Sequence, residues 1–203
     1  MRFMESIILI LALVFLIGCV QPGIDLEGNQ PEVTKFGAWA FKKENKDIVV
    51  IVDTELALRR KTEKYFPLSI KVANKNLESL VLDRESFFLI DENGKRYGLA
   101  AVDEIEQNYD KLTPDHKFKS QTGLMADQLQ TGFELYQKAD SNFFPQTQGA
   151  ARVIDVVYIR WKGFMEDLIY FPMPDGGIEG KTLRIELDAV ELKDPIDIPF
   201  LVK

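Results

Sequence analysis

The most constraining feature of this sequence is a regular alternation of apolar and other residues between positions 66 and 73. The apolar positions are Phe66, Leu68, Ile70 and Val72, and the positions between them are Pro67, Ser69, Lys71 and Ala73. Successive side chains of a β-strand point to opposite faces, so the alternation predicts a strand with one face against a core. We expect the other face to meet water or a sheet edge, and Pro67 indicates that the strand begins nearby.

Several further segments have the composition and turn signals of strands. Residues 48–58 place Ile, Val, Thr and Leu on one parity, and both parities are apolar at first, which predicts a strand that starts buried on both sides. The sequence Asp91-Glu92-Asn93-Gly94 predicts a hairpin, because Asn-Gly accepts the positive φ of a tight turn. The remaining predicted strands lie at 80–82, 88–90, 153–161, 183–192 and 196–202.

The period changes between Asp103 and Lys138. Ile105, Tyr109 and Leu112 have helical spacing, and Thr113-Pro114-Asp115 is expected to end that helix. A second short helix is predicted from Met125, Leu129, Phe133 and Tyr136. Because short strands dominate without strand–helix–strand alternation, the sequence predicts an all-β fold, an antiparallel β-sandwich with a helical insertion over about 103–138.

Charge and composition narrow the classes of function. The 203 residues include 25 Lys and Arg against 32 Asp and Glu, for a net charge of −7. Because so acidic a surface repels phosphate backbones, no nucleic-acid partner is expected. One cysteine and one histidine rule out an internal disulfide, Cys-x-x-Cys redox chemistry and a Cys/His zinc site.

Near the amino terminus, an uninterrupted apolar run extends from Ile7 to Ile17 and follows Arg2. As a helix this run would span about 16 Å, roughly half of the hydrocarbon thickness of a bilayer. It is too short for a comfortable transmembrane helix and fits the apolar region of a signal peptide. The next segment, Val20–Glu32, contains Pro and Gly without periodicity, as expected of a flexible tether.

The end of the apolar run, Leu16-Ile17-Gly18-Cys19, resembles the lipobox of bacterial lipoproteins. The resemblance implies cleavage after Gly18 and modification of Cys19 with acyl chains such as palmitate, which anchor the protein in the membrane. It divides the chain into a signal peptide with a signal helix (1–18), a tether (19–35) and a folded domain (36–203). Val20 stands where Asp favours inner-membrane retention in some Gram-negative bacteria, so we expect the periplasmic face of an outer membrane where one exists.

A second resemblance lies in the predicted hairpin. Phe87-Phe88-Leu89-Ile90-Asp91, followed by Gly94 and Tyr97, is similar to a pattern in uncharacterised immunoglobulin-like domains of bacterial envelope lipoproteins. This resemblance, which also includes Leu68–Asn74, implies an immunoglobulin-like topology for the sandwich. It implies no activity, because β-sandwiches carry many unrelated functions.

Catalytic and metal-binding candidates are few. His116 has Ser120 as its nearest following hydroxyl but no nucleophile-elbow motif, so we interpret it as a solvated surface residue. Acids that could hold calcium or form a glycosidase pair surround the first predicted helix; they are Asp103, Glu104, Glu106, Asp110 and Asp115. Their spacing matches no calcium loop and suits a helix N-terminus. We therefore predict no catalytic residue, metal or cofactor.

Binding candidates are more numerous. A basic run, Arg59-Arg60-Lys61 with Lys64, is expected at a connection between strands, where it is either a solvated tip or a contact for anionic lipid headgroups. Aromatic rings next to Pro and Gly favour recognition, since rigid rings bury area at low entropic cost. A segment containing Tyr158, Trp161 and Phe164 supplies such rings, and the predicted partner surface consists of Phe143, Phe144, Tyr170 and Phe171. The alternative is that these rings belong to the core.

Three functions are compatible with these residues. The predicted one is a lipid-anchored, non-enzymatic envelope protein that binds or scaffolds an envelope protein partner. The second is a carrier or sensor of a small apolar ligand, held by a pocket that includes Leu124, Met125 and Leu129. The third is an envelope hydrolase, which would need polar side chains that converge only in three dimensions.

Replacing Cys19 with Ala removes the sulfur that would carry the lipid, so processing and acylation should both stop. Mass spectrometry of protein from host membranes should show an N-terminal peptide beginning at acylated Cys19 in the wild type and not in Cys19→Ala. An intact Met1 in the wild type, or a size unaffected by globomycin, would contradict the lipoprotein assignment.

Overall fold

The computed structural model describes residues 33–36, 38–119, 135–147 and 152–202. Its strands are β1 (Thr34–Phe36), β2 (Ala40–Glu44), β3 (Ile48–Asp53), β4 (Tyr65–Asn74), β5 (Ser79–Asp83), β6 (Phe87–Ile90), β7 (Arg96–Gly98), β8 (Gln137–Lys138), β9 (Val156–Arg160), β10 (Gly163–Pro172), β11 (Thr182–Leu187) and β12 (Ile196–Leu201). The helices are α1 (Glu55–Arg59), α2 (Val102–Asn108) and α3, described over 112–119. A 3-10 turn at Arg84–Ser86 separates β5 from β6.

These strands form two sheets and a two-stranded ribbon. The first sheet has the order β1-β2-β3-β4-β10-β8, antiparallel except for the short parallel pairing of β10 with β8. The second has the order β12-β11-β6-β7 and is antiparallel throughout. β5 and β9 pair antiparallel as the ribbon. The predicted all-β antiparallel sandwich is confirmed, and the immunoglobulin-like topology stays a prediction.

The core lies between the two sheets. Phe66 of β4 stacks on Phe200 of β12 with ring centroids 6.4 Å apart, and Phe41 of β2 packs against Phe200 at 5.9 Å. One continuous cluster of buried apolar side chains includes residues of both sheets and of the ribbon. Each fully buried large side chain contributes about 1.5–3 kcal/mol, so this cluster is the main source of stability.

The longest pairing in the fold joins β4 to β10, from Asn74 opposite Gly163 to Tyr65 opposite Pro172. The prediction that one face of β4 meets water or a sheet edge is wrong, because β4 lies between β3 and β10 and Ala73 is fully buried. β3 is buried on both faces as predicted.

A small second cluster covers the outer face of β3 and β4. Val49, Ile51 and Ala73 form it, and Tyr136 and Phe164 pack against them. The aliphatic stem of Lys71 lies on the same face, with Nζ 4.9 Å from the ring centroid of Phe164 and 3.7 Å from Glu166 Oε2. The lysine is therefore buried without losing its charge partners.

The strand predicted over 48–58 ends at Asp53, and α1 follows it. The Asp53 carboxylate accepts the N–H of Glu55 at 2.8 Å, which provides a local alternative to extended backbone. Arg59 then pairs with Glu55 one turn later, at 2.9 Å. The apolar residues at 56 and 58 continue the alternation of a strand, which is why the sequence predicts one here. In the structure Leu56 is buried as a residue of α1.

The insertion also differs from its prediction. α2 ends at Asn108, and Thr113-Pro114-Asp115 lies in the first turn of α3 instead of ending a helix. Proline suits a first helical turn, since its missing N–H would have no partner there. The second predicted helix lies largely outside the described residues, and Tyr136, at its end, is not helical.

The predicted hairpin turn between β6 and β7 has a defined cause. At the predicted turn between β6 and β7, Gly94 has φ +81° and Asp91 accepts the N–H of Asn93 and Lys95, which confirms the hairpin. Lys162, between β9 and β10, has φ +52°.

The predicted strands at 153–161 and 183–192 are shorter than expected. They extend over Val156–Arg160 and Thr182–Leu187.

Candidate functional site

The predicted lipidation and cleavage residues, Cys19 and Gly18, lie outside the described residues. Among the residues that are described, no helix has the length and apolar character needed to cross a membrane. The pocket residues Leu124, Met125 and Leu129 also lie outside the described ranges.

The predicted partner surface is wrong. Phe143, Phe144, Tyr170 and Phe171 each have 0% of their surface exposed. Phe144 packs edge-on against Tyr170 with centroids 5.1 Å apart, and Phe143 packs in the same way against Phe87 at 5.5 Å. These rings fix the segment before β9 to the inner side of β10, so they are core residues.

Buried polar groups hold the same segment in place. Asp167 accepts the backbone N–H of Phe143 at 2.8 Å, and burial raises the pKa of its carboxyl. The Arg84 guanidinium donates to the carbonyls of Phe143 (2.6 Å) and Ala100. It also lies 4.6 Å from the ring centroid of Phe144. All these groups are occupied in structural contacts.

A second buried carboxylate, Asp115, joins three parts of the fold. Arg60 Nη2 lies 2.7 Å from its Oδ1, and the Tyr109 hydroxyl donates to Oδ2 at 2.6 Å. The Tyr170 hydroxyl donates to the same oxygen at 3.4 Å. Burial raises the pKa of Tyr109 and of Tyr170, so both stay protonated donors. The cluster links α3, the turn after α1, and β10, and Asp115 is 0% exposed.

His116 is not the solvated residue predicted from sequence. It lies in α3, where its ring bonds to the backbone carbonyl of Pro145 and its Nε2 is buried without a hydrogen-bond partner. Burial, aided by the charge of Lys119, lowers its pKa to about 4. The ring is therefore neutral at physiological pH. Ser120, the hydroxyl considered with it, lies outside the described residues.

The basic run does not form a free cationic patch. Arg59 pairs with Glu55, Arg60 with Asp115, Lys61 with Glu179 at 2.5 Å, and Lys64 with Glu104 at 2.7 Å. The sequence shows no such pairing because two of the partners are more than fifty residues away. Two of the acids considered for a calcium site, Glu104 and Asp115, are thus paired with the basic side chains of Lys64 and Arg60. Within the described ranges, no three His, Cys, Asp or Glu side chains meet in a way that could hold a metal.

Two exposed aromatic rings lie instead on the β5–β9 ribbon and its adjoining turn, and they are Tyr158 and Trp161, which were identified from the sequence but were not included in the predicted partner surface. The inner positions of the ribbon, Leu80, Leu82, Val157 and Ile159, are buried in the core. The outer positions are Ser79, Val81 and Asp83 of β5 and Val156, Tyr158 and Arg160 of β9, and we call them, with Trp161 at the adjoining turn, the ribbon face. Tyr158 is 68% exposed and Trp161 58%. Strand parity distinguishes these rings from Val157 and Ile159, but the sequence does not show which parity meets the core.

The turn that carries Trp161 is tightly specified. The Trp161 N–H donates to the carbonyl of Glu78 at 3.2 Å, and Lys162 Nζ lies 4.6 Å from the indole centroid. A Cβ on Gly163 would lie 2.8 Å from the Arg160 carbonyl oxygen, so the turn from β9 to β10 needs glycine there. The indole is consequently presented on a constrained turn, which lowers the entropy lost when it is buried by a partner.

A hollow of about 280 Å³ adjoins the β5 side of the ribbon face. It is lined by Val81, Asp83, Glu85, Ser86, Asp188, Ala189, Val190 and Glu191. Four of these residues are acidic, and the Val190 side chain is fully exposed. Oε2 of Glu191 is buried and has no hydrogen-bond partner.

A second hollow, of about 340 Å³, opens between β2 and β12. Its lining residues are Lys35, Ala38, Trp39, Phe41, Thr182, Pro199, Phe200 and Leu201. Trp39 is 41% exposed and Leu201 48%, so this second site also leaves an indole accessible.

Comparison with known proteins gives few relatives. No family model matches the chain, and no curated protein does. Among solved structures, a candidate lipoprotein from Bacillus subtilis is similar at 12% identity and a TM-score of 0.33, over 85% of this chain and 38% of that protein. A DUF4426 family protein from Pseudomonas aeruginosa is similar at 14% identity and a TM-score of 0.28, over 80% of this chain and 97% of that one. The chain thus spans well under half of the Bacillus protein.

The half-buried histidine, whose Nε2 is buried, predicts a pH-dependent stability. Because its folded pKa of about 4 is below the ordinary 6.5, the unfolded chain binds more protons between these values, and stability falls as the pH drops. Between pH 7 and pH 5.5, denaturant unfolding should show the wild type losing about 1 kcal/mol more than His116→Gln, which stays neutral. Equal losses in both proteins would show that His116 is protonated without penalty.

Proposed function

We propose that this chain is a lipid-anchored protein of the bacterial cell envelope that binds a protein partner through the ribbon face, without catalysis. The observation that carries this proposal is the exposure of Tyr158 and Trp161 on a strand pair whose other face is core. Elsewhere in the described chain, most aromatic rings are buried or half-buried. Tyr and Trp are enriched where protein partners bind, because they bury large area with few rotatable bonds.

The chemistry of the buried polar groups supports a binding role over a catalytic one. Asp115 and Asp167 each accept two or more hydrogen bonds from the protein, and the His116 ring is bonded to Pro145. Perturbed pKa values often mark catalytic groups, but only where the group also reaches a substrate. Here the perturbed groups stabilise the insertion and the segment before β9.

The lipobox is the basis for the proposed location at a membrane of the cell envelope. Acyl chains on Cys19 would hold the domain at a membrane surface, and the residues after Cys19 would act as its tether. In a cell with two membranes, Val20 in place of Asp favours the periplasmic face of the outer membrane. Such an anchor confines the ribbon face to a layer of periplasm where envelope proteins are concentrated.

A second candidate function, binding of a small apolar ligand, is favoured by the hollow between β2 and β12. Trp39, Phe41 and Leu201 provide apolar walls, and the volume of about 340 Å³ is at the lower end of the range for ligand sites. The hollow is open to solvent along the exposed sides of Trp39 and Leu201, which makes it a weaker candidate than the ribbon face.

Replacing both rings, as Tyr158→Ser/Trp161→Ser, should remove the partner without affecting the fold, because both side chains are largely in water. We expect complexes isolated from host membranes after mild crosslinking to disappear, with the melting temperature within a few degrees of the wild type. Trp39→Ser is the matched control, since it removes an exposed indole outside the ribbon face.

Three outcomes contradict the proposal. The first is a complex that persists in the double variant, and the second is a loss of complex accompanied by unfolding. The third is an equal loss in Trp39→Ser alone, which would move the binding site to the second hollow.

A further inference from the structure

The two ends of the ribbon face carry opposite charges. At one end, Arg160 and Lys162 flank Trp161, and all three are exposed. At the other end lies the hollow with its four carboxylates, Asp83, Glu85, Asp188 and Glu191. The register places Ser79 opposite Arg160 and Asp83 opposite Val156, so basic and acidic ends are separated by the length of the strands. Glu78 is the acidic residue beside the basic end, where its carbonyl accepts the Trp161 N–H.

The centre of the ribbon face is apolar. Val81 and Tyr158 form the middle pair of the ribbon, Val156 lies beside them, and Val190 projects next to Val81 at the hollow. On an exposed sheet face, alternation usually places polar residues at these positions. A surface with an apolar centre and two oppositely charged ends is complementary to a second copy of itself turned end to end. Apolar centre then meets apolar centre, and each basic end meets an acidic end.

This inference rests on the proposed function and names the partner. We propose that the ribbon face binds the ribbon face of a second copy of this chain, in a symmetric dimer. The two-fold axis lies in the plane of the interface and perpendicular to the two strands. It stacks the apolar centres and places each basic end, with its indole, over the acidic hollow of the other copy.

Attraction between the oppositely charged ends at short range favours this arrangement of the two copies. Each copy carries a net charge of −7, which opposes association at long range. Under physiological salt that repulsion is screened beyond about 8 Å, so the paired ends dominate once the faces approach. The reverse orientation would stack basic on basic and acidic on acidic ends, which is strongly unfavourable.

The size of the face predicts a dimer that depends on the membrane. Five residues at about 3.4 Å each make the ribbon about 17 Å long, which is small for a standard protein interface. Anchoring both copies by Cys19 to one membrane raises their effective concentration, which compensates for a small contact area. We therefore expect association in membranes and dissociation on dilution in detergent.

Charge reversal tests the geometry directly. One variant reverses the basic end (Arg160→Glu/Lys162→Glu), and the other cancels the charge of the acidic end (Glu85→Lys/Asp188→Lys), where Asp83 and Glu191 are left unchanged. All four side chains are exposed, and the contact that the changes remove, between Lys162 and the Trp161 indole, lies on the surface, so the fold should persist. Two differently tagged copies of the full-length protein are co-expressed in host membranes, crosslinked, and purified by one tag.

Wild-type copies should co-purify. Co-purification of each variant with itself should fall by about tenfold or more, because like charges face each other in the first variant and the attraction between the ends is lost in the second. Mixing the two variants should restore much of the co-purification, since the unchanged ends of the two copies pair as in the wild type and the new glutamates face the new lysines. Variants that still associate with themselves, or a mixture that stays apart, would overturn the two-fold arrangement.

A thiol crosslink gives a second measurement that needs no charge change. Val81→Cys places a thiol near the axis, and facing sheets are about 10 Å apart, within reach of a short bis-maleimide. We expect crosslinked dimers for Val81→Cys in membranes and none for Asn93→Cys, an exposed site at the β6–β7 turn. Equal crosslinking at both sites, or none at position 81, contradicts the dimer.

Failure of this inference is distinguishable from failure of the proposed function. If wild-type copies do not co-purify but Tyr158→Ser/Trp161→Ser still removes a crosslinked complex, the ribbon face binds a different protein and the dimer is wrong. If the aromatic substitutions change no complex at all, the binding function of the ribbon face is wrong as well.

Discussion

The structure depends on the pairing of β4 with β10, ten residues long and buried on almost every side. One face of this pair supplies the centre of the core, and the other is covered by a smaller cluster that includes Ala73. β10 also carries Tyr170, which reaches Asp115 of α3, and Asp167, which holds Phe143. The helical insertion and the segment before β9 are therefore fixed to the sandwich through this strand. A rigid β10 in turn fixes the short turn that presents Trp161.

Most of the β architecture could be predicted from the sequence, because strand alternation and Asn-Gly turns are local signals. The predictions failed where non-local packing decided the outcome. Residues after Asp53 fit both a strand and a helix, and a side-chain hydrogen bond to Glu55 favours the helix. Phe143 and Tyr170 resembled a recognition surface because the sequence does not show what covers them. His116 appeared solvated for the same reason, although Pro145 and neighbouring residues bury it.

Burial separates two groups of aromatic residues that the sequence places close together. Phe143, Phe144, Tyr170 and Phe171 are enclosed, and their role is stability. Tyr158 and Trp161 come from the same stretch of chain and lie on the outer side of the ribbon, and their role in the proposal is binding. In the proposal, lipid attachment at Cys19 would bring copies of this surface together, because a small surface becomes effective when its copies share a membrane. The charged ends of the ribbon then determine which surface it meets.

The most direct test of the central claim is whether the ribbon face is covered in the membrane. Hydroxyl-radical footprinting, read by mass spectrometry, would compare the full-length protein in host membranes with the same protein diluted in detergent. We predict that Tyr158 and Trp161 are oxidised several-fold less in membranes, while Trp39 reacts equally in both. Equal oxidation of Tyr158 and Trp161 in the two states would contradict the account, because the face would then be open to solvent where it is proposed to bind.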